Sequence, residues 1–141
     1  MVGPSLAGLL SALTFAFSLR AYARCRALVK APLEPETDAF ERRLAAREQA
    51  LQLGLAGRNV QALGRAALFG GTGVAVWELS RELGAGGAHY TSAGVAFGLG
   101  FVGWATCGEL HRRIGSLAGV GARARRLPPR RQDVDPPSRT G

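Results

Sequence analysis

The apolar positions of this chain fall into two long uncharged blocks and one shorter block between them. Val2 to Leu19, VGPSLAGLLSALTFAFSL, runs for 18 residues without a charge and is closed by Arg20. Leu83 to Gly108 supplies 26 more, bounded by Glu82 and Glu109. A helix on the surface of a soluble protein turns one face to water and rarely goes so far without a charge. A hydrocarbon layer of about 30 Å takes about 20 helical residues. The pattern therefore predicts transmembrane helices over residues 1–24 and 88–110, with Arg20 placed where its long stem can snorkel to the interface.

The third block, Gly64 to Leu83, has an uncharged centre of only 12 residues, Ala66 to Trp77. Alone it suits a buried helix of a soluble bundle as well as a span. Beside the two longer blocks it predicts a short or protein-shielded second span over residues 62–83.

Between the first two blocks the polar pattern changes twice. Residues 25–37 form a basic linker broken by Pro32 and Pro35, and proline ends helices. Asp38 followed by Glu41 then has the character of a capped helix start. From there Phe40, Leu44, Leu51 and Leu55 recur on one face, with Arg43 and Arg47 off it, predicting an amphipathic helix over residues 38–61. Gly54 and Gly57 weaken it near its end and suggest a bend into the second span. Beyond the third span, residues 111–141 lose periodicity around Pro128 and Pro129 and read as a basic, partly disordered tail. The expected fold class is an all-α integral membrane protein, with three transmembrane helices and one amphipathic helix.

Charge adds an orientation. The chain carries 18 Lys and Arg against 10 Asp and Glu, a net +8. Residues 20–65 hold net +4, residues 78–90 net −1 and residues 109–141 net +5. With three spans both basic regions lie on one side, as the positive-inside rule requires; with two they would be split. The N-terminus is expected outside and the C-terminus on the matrix, stromal or cytosolic side. No base precedes Arg20, so the first block reads as a signal anchor rather than a cleaved signal or a matrix presequence.

Small residues mark the expected helix contacts: Gly8, Ala12 and Ala16 in the first span, Gly70 and Gly73 in the second, and the Gly94–Gly98 GxxxG pair in the third. Gly71, Gly100 and Gly103 widen these smooth surfaces. Such faces let helix backbones approach where lipid gives no hydrophobic driving force. Trp77, Tyr90 and Trp104 are placed as interface anchors. Arg20, Arg24, Arg26, Lys30, Arg123, Arg125, Arg126, Arg130 and Arg131 are expected to contact anionic lipid, cardiolipin for example, or a partner. Nucleic acid is disfavoured as a partner, because no aromatic residue is interleaved with the tail's bases.

Chemistry is sparse. His89 and His111 fall on opposite sides of the expected membrane, and Cys25 and Cys107 have no metal-ligand spacing. Glu78 is expected to pair with Arg81 or with the Arg65 side of a partner helix, and Glu109 with Arg112 or Arg113. The Gly70–Gly73 run lacks the Lys of a phosphate loop, and no G-x-S-x-G elbow occurs. No catalytic residue, cofactor or metal is expected. The expectation is a non-enzymatic accessory subunit of a large membrane complex, with other membrane subunits as partners. A respiratory or ATP synthase complex of the mitochondrial inner membrane suits it best, with the thylakoid membrane as the alternative. An assembly factor, a small homo-oligomeric transporter or channel component, and a pigment or cofactor scaffold are the other readings.

Overall fold

The computed structural model of the chain describes residues 2–30, 38–85 and 90–126, with side chains as far as residue 120. Among the described residues the chain forms three α-helices and no strand: α1 (Val2–Lys30), α2 (Ala39–Gly84) and α3 (Thr91–Arg126). At 1.5 Å per residue they are about 43, 69 and 54 Å long. The segments expected as an amphipathic helix and a short second span are one helix, α2, which runs through Gly54 and Gly57 without a break. Asp38 is its N-cap, with Oδ1 accepting from the Ala39 N–H at 2.8 Å. Most of the 25–37 linker and the residues of the tail from 127 onward, Arg130 and Arg131 included, lie outside the described residues. So do His89 and the side chains of Arg123, Arg125 and Arg126.

The three helices form an up-down-up bundle. Gly3 meets Glu78 and Leu28 meets Gln49, so α1 and α2 are antiparallel. Ser11 meets Leu99 and Ser18 meets Cys107, so α1 and α3 run parallel. On α3 the buried positions are Ala93, Ala96, Gly100, Gly103, Cys107, Leu110 and Ile114, and on α2 they are Leu53, Gly57, Val60, Gly64, Ala67, Gly71 and Glu78. Spacings of 3 and 4 dominate, keeping one seam toward a neighbouring helix.

Those two series show that the core changes character along the bundle. At one end it is made of Leu53, Val60, Leu110 and Ile114 with Cys25 and Cys107, backed by Tyr22, Val29 and Leu117. At the other it is Gly, Ala and Thr: Gly3, Ala7, Thr14, Ala67, Gly71, Ala96 and Gly100. There the large apolar side chains point outward, among them Leu6, Leu9, Leu13, Phe15, Phe17, Phe69, Val76, Val95, Phe97, Phe101 and Val102. The first half buries large apolar side chains, although Phe40, Leu44, Leu51 and Leu55 remain outside. The second is turned inside out.

The boundary between the halves is sharp. Ser18 Oγ lies 3.3 Å from Cys107 Sγ, and a Cβ on Gly64 would lie 2.9 Å from the Cys107 Cβ. Arg20, Arg65 and Glu109 are each within two residues of that layer, so the first charges of all three helices stand at one level. Val2–Lys30 and Thr91–Val120 are long and apolar enough to cross a membrane by length and composition.

Candidate functional site

The most distinctive polar group is Glu78, which lies at the end of the inside-out half. It is 4% exposed and does not pair with Arg81. The α2 surface at this position faces α1, so the carboxylate enters the bundle and accepts the backbone N–H of Gly3 at 2.9 Å. That N–H is one of the first-turn donors a helix cannot pair internally, and a carboxylate there also complements the helix dipole. Arg81 instead reaches over the Trp77 ring, 5.7 Å from its centroid. One turn on, Glu82 Oε1 accepts the Ser92 hydroxyl at the start of α3, while its Oε2 is buried without a hydrogen-bond partner among the described residues. Glu78 and Glu82 thus tie the starts of α1 and α3 to the last turns of α2. At the far end Gln49 Nε2 donates to the Leu28 carbonyl at 2.9 Å, so α2 holds both ends of α1.

A polar seam lies between these ends. Ser11 Oγ donates to the Leu99 carbonyl at 2.7 Å, Thr14 Oγ1 to the Ser11 carbonyl at 3.0 Å, and Cys107 Sγ lies 4.0 Å from the Thr14 carbonyl. Thr72 Oγ1 donates to Leu68 of its own helix. At the charge boundary His111 Nδ1 is 2.9 Å from the Gly57 carbonyl; a carbonyl only accepts, so Nδ1 carries the proton. Glu109 bonds Arg112 at 2.8 Å and Arg113 at 3.2 Å, both on the surface.

The small residues divide into two groups. The close approaches are made at Gly3 against Glu78, Gly64 against Cys107, Gly70 against Leu10, Gly71 against Gly100, and Gly103 against Ser11 and Ala67. A Cβ on Gly8 would stand an ordinary 3.6 Å from Leu99 Cδ1. Gly73, Gly94 and Gly98 have open space where a side chain would stand. Ala12 and Ala16 are exposed. Trp77, Tyr90 and Trp104 are all exposed, Trp104 beside Phe101 with ring centroids 5.5 Å apart. Arg20, Arg24, Arg26 and Lys30 line the exposed surface of α1 beyond the boundary.

The sequence reading missed Glu78 as a tie between helices, the Ser11–Ser18–Cys107 seam and the His111–Gly57 bond. Each needs a partner more than 50 residues away, and only the recurrence of polar residues on one face of α1 hints at the seam. Among the described residues no three His, Cys, Asp or Glu side chains gather as metal ligands. No protein-family model matches the chain, and neither a curated protein nor a solved structure is similar to it.

Proposed function

We propose that this chain is an integral membrane protein with three spans and serves as a non-catalytic accessory subunit of a larger membrane complex. The membrane reading rests on the inside-out half and on the common level of Arg20, Arg65 and Glu109. The 18 uncharged residues of α1 span about 27 Å, close to a hydrocarbon core. The second span is the shortest of the three, about 22 Å against the roughly 30 Å of a hydrocarbon core. Glu78 is turned inward, so the surface of α2 that would face lipid runs from Ala66 to Ser80, and Arg81 can snorkel along Trp77.

The observation that carries the subunit reading lies in the charged half. Phe40, Leu44, Leu51 and Leu55 are 70%, 53%, 64% and 59% exposed, on the side of α2 away from the bundle. An exposed apolar stripe of this kind, broken once by Arg47 and Glu48, supports an interaction surface. Gly94 and Gly98 add an uncovered smooth face in the apolar half. The transporter reading has less support, because Thr14 and Thr72 both spend their hydroxyls on carbonyls of their own helices. The arginine-rich composition and the basic half favour the mitochondrial inner membrane, with that half in the matrix and a respiratory or ATP synthase complex as host.

Native separation of a tagged chain from gently solubilised membranes tests this. Stoichiometric migration with a large assembly is the expected result. Migration only with partly built complexes would make it an assembly factor, and migration alone or as a small homo-oligomer would overturn the subunit reading.

A further inference from the structure

At the charge boundary α2 and α3 leave a groove of about 370 Å³, a ligand-sized volume, lined by Gln61, Gly64, Trp104, Gly108, His111 and Arg112. Its two ends differ in chemistry. Gly64 and Gly108 have no side chains to fill it, and Trp104 forms an apolar wall, with Cδ1 3.7 Å from where a Gly64 Cβ would stand. This end points into the inside-out half. The opposite end is polar, with Gln61, His111 and Arg112. Arg58, at i−3 from Gln61, flanks this end on the α2 surface, while Arg65, at i+4, stands level with Gly64 and reaches toward the same end because helical side chains lean to the N-terminus. His111 already gives Nδ1–H to Gly57, which leaves Nε2 as its remaining ring nitrogen. The acid nearest the groove, Glu109, is shared between Arg112 and Arg113 in exposed ion pairs that contribute little.

The geometry points to a binding site for one anionic phospholipid in this groove. Its phosphate sits among Arg112, Arg65, Arg58 and Gln61, and an acyl chain runs over Gly108 and Gly64 along the Trp104 ring. Charge complementarity at one end, a smooth apolar floor at the other and a position level with the first charges all match a lipid at the membrane surface. Basic recesses between spans on the positive side bind such headgroups. This inference rests on the membrane reading above.

Trp104 provides the measurement. Trp77, the other tryptophan, lies near Gly3 at the far end of the apolar half, and a Trp77→Phe chain leaves Trp104 as sole reporter. The full chain is reconstituted into phosphatidylcholine vesicles containing an equal fraction of acyl-brominated phosphatidylglycerol or acyl-brominated phosphatidylcholine. The expected result is roughly fivefold stronger quenching by the anionic lipid, the scale of one well-placed arginine at a membrane surface. Gly108 has open space around it, so Gly108→Leu fills the groove without touching the core. It should bring the ratio to about one while leaving the basic surface intact, and Arg65→Gln with Arg112→Gln should do the same.

Equal quenching by both lipids in the parent chain would overturn the site and leave the membrane reading standing. So would a preference that survives Gly108→Leu, since general attraction by the basic surface would then explain it. Loss of the preference in millimolar inorganic phosphate, but not in chloride of matched ionic strength, would make this a free-anion site and overturn the lipid assignment. Absence of quenching by either lipid would overturn the membrane reading along with the site.

Discussion

A Cβ on Gly71 would stand 2.6 Å from the Cα of Gly100, and one on Gly100 would stand 2.8 Å from the Cα of Gly71. The backbones of α2 and α3 therefore touch at this crossing, and what either residue lacks is what lets the helices meet. Gly71→Val and Gly100→Val should each destabilise the bundle by about 1–3 kcal/mol, the usual scale of overpacking. Gly94→Val and Gly98→Val meet open space and should leave stability nearly unchanged. Thermal unfolding of the four variants in one detergent checks this, and a similar loss in both pairs would contradict the crossing.

Glu78 offers a second test because its partner is a backbone donor. Glu78→Leu leaves the Gly3 N–H buried and unpaired and should cost about 1–3 kcal/mol. Glu78→Gln retains an acceptor oxygen and should lose less. Gln49→Ala, which removes the α2 amide that donates to the exposed end of α1, should cost under about 1 kcal/mol. Protease protection of α1 in the three variants should follow that order.

The two thiols should be chemically silent in the folded chain. Cys25 and Cys107 are 2% and 0% exposed, one in the Leu53–Ile114 core and the other against Ser18. A bulky maleimide should modify neither until the protein is denatured. Rapid labelling of Cys107 under native conditions would mean that α1 does not seat on α3 as described.

The seam hydroxyls should matter modestly. Ser11→Ala removes the bond to the Leu99 carbonyl but leaves that carbonyl in its own helix ladder. A loss of about 0.6 kcal/mol is expected, typical of hydrogen bonds between helices in lipid. Ser18→Leu should cost more, since Ser18 is fully buried against Cys107 and has no room to grow. Reversible unfolding in mixed micelles would resolve the two.

The stripe on α2 gives a prediction in the cell. Phe40→Ser with Leu44→Ser touches no core residue and should leave the unfolding temperature of the isolated chain unchanged. The same pair should abolish co-migration with a larger assembly. Retained co-migration would move the interface elsewhere.

How much of this was legible beforehand depends on whether a feature is local. The absence of charge over Val2–Leu19 and Leu83–Gly108 is local, and it located α1 and most of α3. Asp38 as a cap and Glu109 with Arg112 and Arg113 are local as well, and the structure shows all of them. The continuity of α2 was hidden by Gly57, which looks like a weak point but is a contact, with His111 Nδ1 3.4 Å from its Cβ position. Propensity registers the missing side chain; it does not register the helix that fills the space. The GxxxG spacing of Gly94 and Gly98 carries no direction, so it could not reveal that Gly71, Gly100 and Gly103 make the close contacts inside the bundle. Glu78 stands beside Arg81 in sequence and beside Gly3 in space.

The unbroken course of α2 from Ala39 to Gly84 has a mechanical consequence. Nearly 40 Å of that helix, by its residue count before Gly64, belongs to the charged half, and the rest continues through the apolar half as the same uninterrupted helix. No non-helical residue separates the two halves along α2. A push or twist applied at Phe40 is carried toward Glu78 and the first turn of α1 by continuous helix, with no loop between them to absorb it.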